Sequence, residues 1–349
     1  MTSKTMTRNS SGFTLAELMV ALALSAIVVL AVAALAVTTD RFARSQSRLM
    51  DAQQRARVIA EMLGRDLRLA GAGLDRGPMS GALNQVFTPM WPRRVGRVRP
   101  EAASVVRPDA LTLVWVPDTI VQTTLAVGDV PSLGRIVLAP CVGGALPCQV
   151  TRGATLAIFD APGRAELLGV LDNDVGGTTV RPLGVPAGAF AAGSTVSEVV
   201  IRGYYFDAAQ SQLRFYDADS TDQPVVDDVT GLTFEYFGDP APPQLPRPDP
   251  GVENCLFDMA GTWRGGVTLT ANSDGLAALP LAMFQDGPWC SAGGTSFDAD
   301  LLRVRRIRVL VRLRASGPRD PRPDYRAVFD VSPPNLSRTG PGGGPGGAW

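Results

Sequence analysis

Histidine is missing altogether from this 349-residue chain. Its absence removes Ser-His-Asp and Cys-His catalysis, the H-E-x-x-H zinc motif and every metal site built on imidazole. Cysteine is scarce: the four residues are Cys141, Cys148, Cys255 and Cys290, and none forms C-x-x-C. That spacing argues against a zinc ribbon and against a thioredoxin-like redox pair. Net charge is zero, so no global field recruits nucleic acid or an acidic substrate. No constellation calls for a cofactor. Charge, proline and glycine are all absent from Leu18 to Val37, a run in which Ser25 alone is polar.

Those twenty residues rise roughly 30 Å as a helix, the thickness of a hydrocarbon core. A short polar segment with Lys4 and Arg8 precedes them, like the n-region of an export signal. An ordinary secretory signal, cleaved in the alanine-rich stretch Ala31–Ala36, is one reading of this arrangement. Basic residues do not decide the orientation, because Arg41, Arg44 and Arg48 follow the run. Beyond it Leu49, Ala52, Ala56, Ile59, Leu63, Leu67 and Ala70 recur at steps of three and four, with Arg55, Arg57, Glu61, Arg65 and Asp66 largely between them. "LAGAG", ending at Gly73, supplies a stop. The pattern predicts one helix from Phe13 to about Ala70, roughly 87 Å long, apolar all round in its first half and amphipathic in its second.

After Gly73 come short β-type runs punctuated by Gly, Pro and Asp. They are Ala110–Val116, Arg135–Ala139, Thr155–Phe159, Glu166–Leu171, Thr195–Phe206, Gln212–Tyr216, Thr230–Tyr236, Val304–Leu313 and Tyr325–Val331. In "RRIRVLVRLR" Ile307, Val309, Val311 and Leu313 alternate with Arg308, Leu310, Arg312 and Arg314, giving an apolar face and a mostly basic one. A solvated face explains those arginines; a nucleic-acid surface is the alternative, without aromatic platforms beside it. The expected fold class is α+β, a long N-terminal helix packed on an antiparallel β-sheet head. Residues 238–300 read as an insertion that opens with six prolines in fourteen residues, extended and largely unpaired. Residues 340–349 read as a disordered Gly/Pro tail.

An even cysteine count beyond a membrane-crossing segment suggests two disulfides in an oxidising compartment, with Cys141–Cys148 and Cys255–Cys290 the first choice of pairing. Buried free thiols are the alternative. "DADSTDQPVVDD" (Asp217–Asp228) is the best calcium candidate, but Asp222 stands where an EF-hand needs glycine, and a hairpin turn explains the same residues. Asp298 and Asp300 form a weaker candidate. No metal site is expected.

Gly12 followed by "FTLAELMVALAL" resembles the class III signal of type IV pilins and pseudopilins: a short basic leader ending in Gly, then Phe, then Glu at the fifth position beyond the cut. The resemblance implies that a prepilin peptidase cuts between Gly12 and Phe13 and methylates the new amino group of Phe13. It implies a leader of residues 1–12, a retained helix of residues 13–70 (13–37 in the membrane or filament core, 38–70 amphipathic) and a β-rich head of residues 71–339. Ala34 departs from the helix-bending proline of many major pilins. An acid within an apolar run is costly and usually paired. Glu17, one turn from Phe13, is expected to pair with the freed amine of a neighbouring subunit, the alternative being a carboxylate reaching headgroup water. "MLGRDLRLAGAG", "VVDDVTGLTFEYF" (Val225–Phe237), "RRIRVLVRLRA" and "VFDVSPPNL" (Val328–Leu336) further resemble the PilW family of minor pilins.

The expectation is a non-enzymatic minor pilin. It is held in the inner membrane by a single pass with a periplasmic head, and then passes into a cell-surface pilus. Expected partners are other minor pilins, the major pilin, the peptidase and the assembly platform. A pseudopilin at a type II secretion tip, and a pilus-displayed adhesin or DNA-uptake module carried by residues 238–300, are the alternatives.

Overall fold

A computed structural model gives the fold and describes residues 14–74, 88–96, 99–102, 104–117, 122–128, 134–141, 150–160, 165–174, 178–183, 189–217, 221–244, 251, 256–285, 299–315 and 324–336. Residues 1–13, expected to hold the leader and Phe13, the C-terminal residues 337–349 and three of the four cysteines lie outside these residues. The chain divides into two compact units, residues 1–53 with 315–323 and residues 54–314 with 324–349.

One helix, α1 (Leu15–Leu69), begins two residues later than expected and ends one residue earlier. One stretch of it is long and apolar enough to cross a membrane. Of the predicted amphipathic face, Ala52, Ala56, Ile59, Leu63, Leu67 and Ala70 are buried, whereas Leu49 is 43% exposed. Asp66, expected on the polar side, is fully buried. It stands three residues after Leu63, so it shares the inward face. The helix stops where Gly71 takes a left-handed φ of 79°, and the Gly71 and Val116 amides then bond to the Val114 and Ala72 carbonyls, both at 2.9 Å.

Fourteen strands occur among the described residues, in two antiparallel sheets rather than one. In chain order the first sheet comprises β1 (Met90–Trp91), β2 (Ala110–Trp115), β3 (Gln122–Thr124), β4 (Ile136–Val137), β5 (Thr155–Phe159), β6 (Ala165–Asn173), β7 (Thr179–Pro182), β8 (Thr195–Asp207), β9 (Gln212–Asp217) and β10 (Asp222–Asp227). The second contains β11 (Val229–Gly238), β12 (Ala277–Leu279), β13 (Val304–Leu313) and β14 (Tyr325–Val331), in the order β12-β11-β13-β14.

β8 is the spine of the first sheet. Its Arg202–Asp207 half pairs with β9, and its Thr195–Val199 half pairs with β5. From β8 the pairing runs through β5, β6, β7 and β4, and returns through β3. A bridge between Leu125 and Leu138 closes the ring, with the Ala126 amide on the Val137 carbonyl at 2.9 Å and the Ala139 amide on the Thr124 carbonyl at 2.8 Å. The result is a small closed barrel filled by Leu125, Leu138, Leu156, Ile158, Val180 and Val196. Closure removes edges that an open sheet of this size would expose.

The stretch read as a proline-bounded insertion is stitched to the second sheet. β12 pairs with the end of β11, and the Leu269 amide donates to the Pro240 carbonyl at 2.9 Å. Prolines lack a donor but keep an acceptor. Here those acceptors are used: Pro240 and Asp239 also receive the Arg303 guanidinium at 2.6 and 2.9 Å, and Pro243 receives the Trp263 indole at 3.3 Å.

Candidate functional site

The N-terminal signal is built around Glu17. Thr14 donates its amide to Glu17 Oε2 at 2.9 Å and its hydroxyl to the same oxygen at 3.0 Å; the Glu17 amide returns a bond to Thr14 Oγ1 at 3.3 Å. This reciprocal pair is a capping box, T-x-x-E, and it satisfies donors that every helix start leaves open. The Leu18 amide then makes the first helical bond, to the Thr14 carbonyl at 3.1 Å. Sequence reasoning assigned Glu17 to a neighbouring subunit and overlooked Thr14, although the spacing was there to be read. Within the single chain the carboxylate already caps its own helix. Gly12 and Phe13, the expected cleavage and methylation residues, lie outside the described residues.

The helix is fastened to the head by a buried polar cluster. Arg202 in β8 donates Nη1 to both oxygens of Asp66 at 3.1 Å, Tyr204 donates its hydroxyl to Oδ2 at 2.5 Å, and Arg65 reaches Oδ1 at 3.1 Å. Burial first, and then the Asp66 carboxylate, push the Tyr204 hydroxyl well above its usual range. Nearby, Arg55 on α1 meets Asp228 at 3.0 Å, while Asn335 donates to the Arg68 carbonyl at 3.0 Å and caps the last turn.

The acidic segment Asp217–Asp228 is a hairpin, β9 to β10, as its alternative reading held. Its carboxylates are engaged by the protein itself. Asp217 accepts the Thr221 amide at 2.8 Å, and Asp222 accepts Tyr205 at 2.9 Å and Arg214 at 2.8 Å. Asp227 accepts Gln212 at 2.8 Å, and Asp228 is shared between Arg55 and Arg314. Burial alone would raise Asp222, but the bonds from Arg214 and Tyr205 outweigh it and hold the carboxyl below the ordinary range. Among the described residues no group of three His, Cys, Asp or Glu side chains is placed to hold a metal. Asp298 lies outside the described residues, and Asp300 binds Arg303 at 3.0 Å.

Cys141 is half-buried, packs against the barrel core and is disulfide-bonded. Cys148, Cys255 and Cys290 lie outside the described residues.

The basic face of β13 alternates as expected but is not simply solvated. Arg308 is bidentate to Asp330 at 2.8 and 3.0 Å, and Arg306 meets Asp274 at 2.7 Å. Both guanidiniums lie over the Phe237 ring, 5.1 and 4.6 Å from its centre. Arg303, missed by sequence reasoning, is 1% exposed and binds three backbone carbonyls and Asp300, an internal cation that ties residues 239, 240 and 267 together.

Residues 7–33 match a family described as the prokaryotic N-terminal methylation motif. No curated protein and no solved structure matches the chain. The chain thus carries a class III prepilin signal at the head of a membrane-length helix, and is type IV pilin-like in that segment and in its α+β build. The motif implies processing by a prepilin peptidase and a pilus-type assembly, and it belongs to structural proteins that are typically non-enzymatic.

Proposed function

We propose that the chain is a minor pilin of the PilW type, a structural subunit that helps initiate a type IV pilus or sits near its tip. The observation that carries this reading is the methylation motif, residues 7–33, overlapping the start of one 55-residue helix whose far end is fastened to a β-rich head. In this reading residues 1–12 are the leader and cleavage falls between Gly12 and Phe13. The methylated amine of Phe13 in one subunit then meets Glu17 of the next. Residues 13–37 wait in the inner membrane while the head, residues 71–339, folds in the periplasm with Cys141–Cys148 and Cys255–Cys290 paired. Other minor pilins, the major pilin and the assembly platform are the partners. A pseudopilin of a type II secretion tip shares every one of these features except the fibre it enters.

Unlike charges attract strongly where water is excluded, and an unpaired one is penalised there. The capping box makes the test sharper than alanine alone. Glu17→Gln keeps the T-x-x-E/Q cap and removes the charge, whereas Glu17→Ala removes both. Both variants are expected to abolish surface pili at normal protein level, with Phe13 as the amino-terminal residue by mass spectrometry. Normal piliation by Glu17→Gln would leave Glu17 as a helix cap only. An intact Met1 in native protein would remove the processing step on which the reading rests.

A further inference from the structure

We propose that β14 is an interface through which two copies of the chain pair edge to edge, antiparallel, in a single register centred on Val328. β14 forms one end of the second sheet, and among the described residues no strand pairs with its outer side. Natural edges are blunted by shortness, proline or a bulge. β14 has none of these: its seven residues run from Ile307↔Val331 to Leu313↔Tyr325 without a register shift, and Val328 is 58% exposed on it.

Charge protects an edge too, and β14 carries two, Arg326 and Asp330, on the face it shares with Val328. Their order makes the face self-complementary. Around a two-fold axis at Val328, Arg326 stands opposite the partner's Asp330, and Asp330 opposite the partner's Arg326. The two valines meet at the centre. On the other face Ala327 stands opposite the partner's Phe329, small against large. Sliding by two residues one way sets Asp330 against the partner's Asp324; the other way sets Arg326 against the partner's Ser332. A parallel in-register pair sets arginine on arginine and aspartate on aspartate, which is destabilising. One alignment alone matches both charges. Such an isologous contact, residue i to j and j to i, is the commonest way proteins form closed pairs.

A second observation points the same way. Arg326 lies directly across from Arg312 in β13. Among the described residues no carboxylate forms an ion pair with either, and the Arg312 guanidinium lies instead across Gly231, close enough that a Cβ there would meet it at 2.6 Å. An acid arriving at the outer edge would offset part of the repulsion between the two arginines. The partner's Asp330 brings one: within its own chain it accepts two bonds from Arg308 and has the Arg306 guanidinium 3.9 Å away, and an ionised carboxylate has about four acceptor sites.

Cysteine cross-linking of the full chain in membranes of expressing cells tests the pairing before any filament forms, and so independently of the minor-pilin reading. Val328→Cys places the thiol on the two-fold axis, where opposed Cα atoms are about 4.5–5.5 Å apart and within disulfide reach. In Arg326→Cys the two thiols lie about four residues of strand apart, ~13 Å, out of reach. Val328→Cys is expected to give a disulfide-linked homodimer under mild oxidation, and Arg326→Cys no more than the unsubstituted chain. In detergent, Arg326→Asp is expected to weaken dimerisation at least tenfold and Arg326→Lys to preserve it. No Val328→Cys dimer, equal cross-linking at both positions, cross-linking to a different protein, or a dimer indifferent to Arg326→Asp would each overturn the proposal.

Discussion

Tyr236 carries a buried hydroxyl that finds no hydrogen-bond partner among the described residues. The ring is needed: it lies between Leu279 and Ile307 in the neighbouring strands and meets Phe284 edge-on at 5.3 Å. The oxygen is not, and desolvation pushes its titration well above the usual range. A buried polar atom without a bond costs about 1–3 kcal/mol, and removing it with shape kept is neutral or better. Tyr236→Phe is therefore expected to stabilise the head by about 1 kcal/mol, seen as a higher midpoint in urea melts at unchanged slope. A loss of stability would mean that the hydroxyl has a partner after all. Arg303 is the opposite case, a buried charge whose every direction is answered by a carbonyl or by Asp300.

α1 shows what an element can and cannot reveal about itself. The spacing of Ile59, Leu63 and Leu67 announced the buried face, and the glycines after Leu69 announced its end, because both signals are local. Asp66 lies on that same face, yet an acid reads as exposed until its partners are known. Those partners are Arg202 and Tyr204, in a strand more than a hundred residues away. Asp66→Ala removes the anion and leaves Arg202 and the Tyr204 hydroxyl facing each other. Breaking a fully buried pair costs about 3–5 kcal/mol. Arg202, the cation left behind, is 34% exposed and keeps part of its water, so the loss falls to about 2–3 kcal/mol. Helix and head are therefore expected to come apart at lower denaturant, read by proteolysis near Leu69. Tyr204→Phe removes one hydrogen bond to a charged group and is expected to cost about 1.5–3 kcal/mol. Equal and small effects from both would mean that apolar packing alone holds the helix. The strands divide by the same logic. β13 was legible to the residue because a buried strand with one polar face alternates. β10 was missed because Asp222–Asp227 holds a proline and two acids, and it is a strand only by pairing with β9. Arg135–Ala139 was read as a strand and contains β4, but its partner β3 was missed because three residues are too short to show a period. The closing Leu125–Leu138 bridge lies just beyond both strands, so the barrel was not legible.

The molecule as a whole should respond to pH as its missing histidine dictates. No imidazole can titrate between pH 5 and 8. On the acid side several carboxylates are held below their ordinary range: Asp330 by Arg308, Asp274 by Arg306, Asp174 by the Thr179 amide, and Asp222 by Arg214 and Tyr205 against the pull of burial. A group depressed in the folded state stabilises it above the unfolded pKa, near ~3.9 for Asp, and that contribution is lost as pH falls through the folded value. On the alkaline side Tyr204, Tyr205, Tyr216 and Tyr236 are all raised, with burial the largest cause in each. A raised phenol keeps its proton when folded while the unfolded chain releases one above about pH 10, so stability falls there as pH rises. The two limits enclose a plateau from about pH 5 to about pH 9. Melting temperatures of the full chain in detergent are expected to be level across that span, to drop below about pH 4 and to drop again above about pH 10. Asp330→Asn should lower the plateau and shrink the acid-side drop, because one of the depressed carboxyls no longer titrates. A step in stability between pH 6 and 8 would require a group that neither histidine nor these carboxyls and phenols supply.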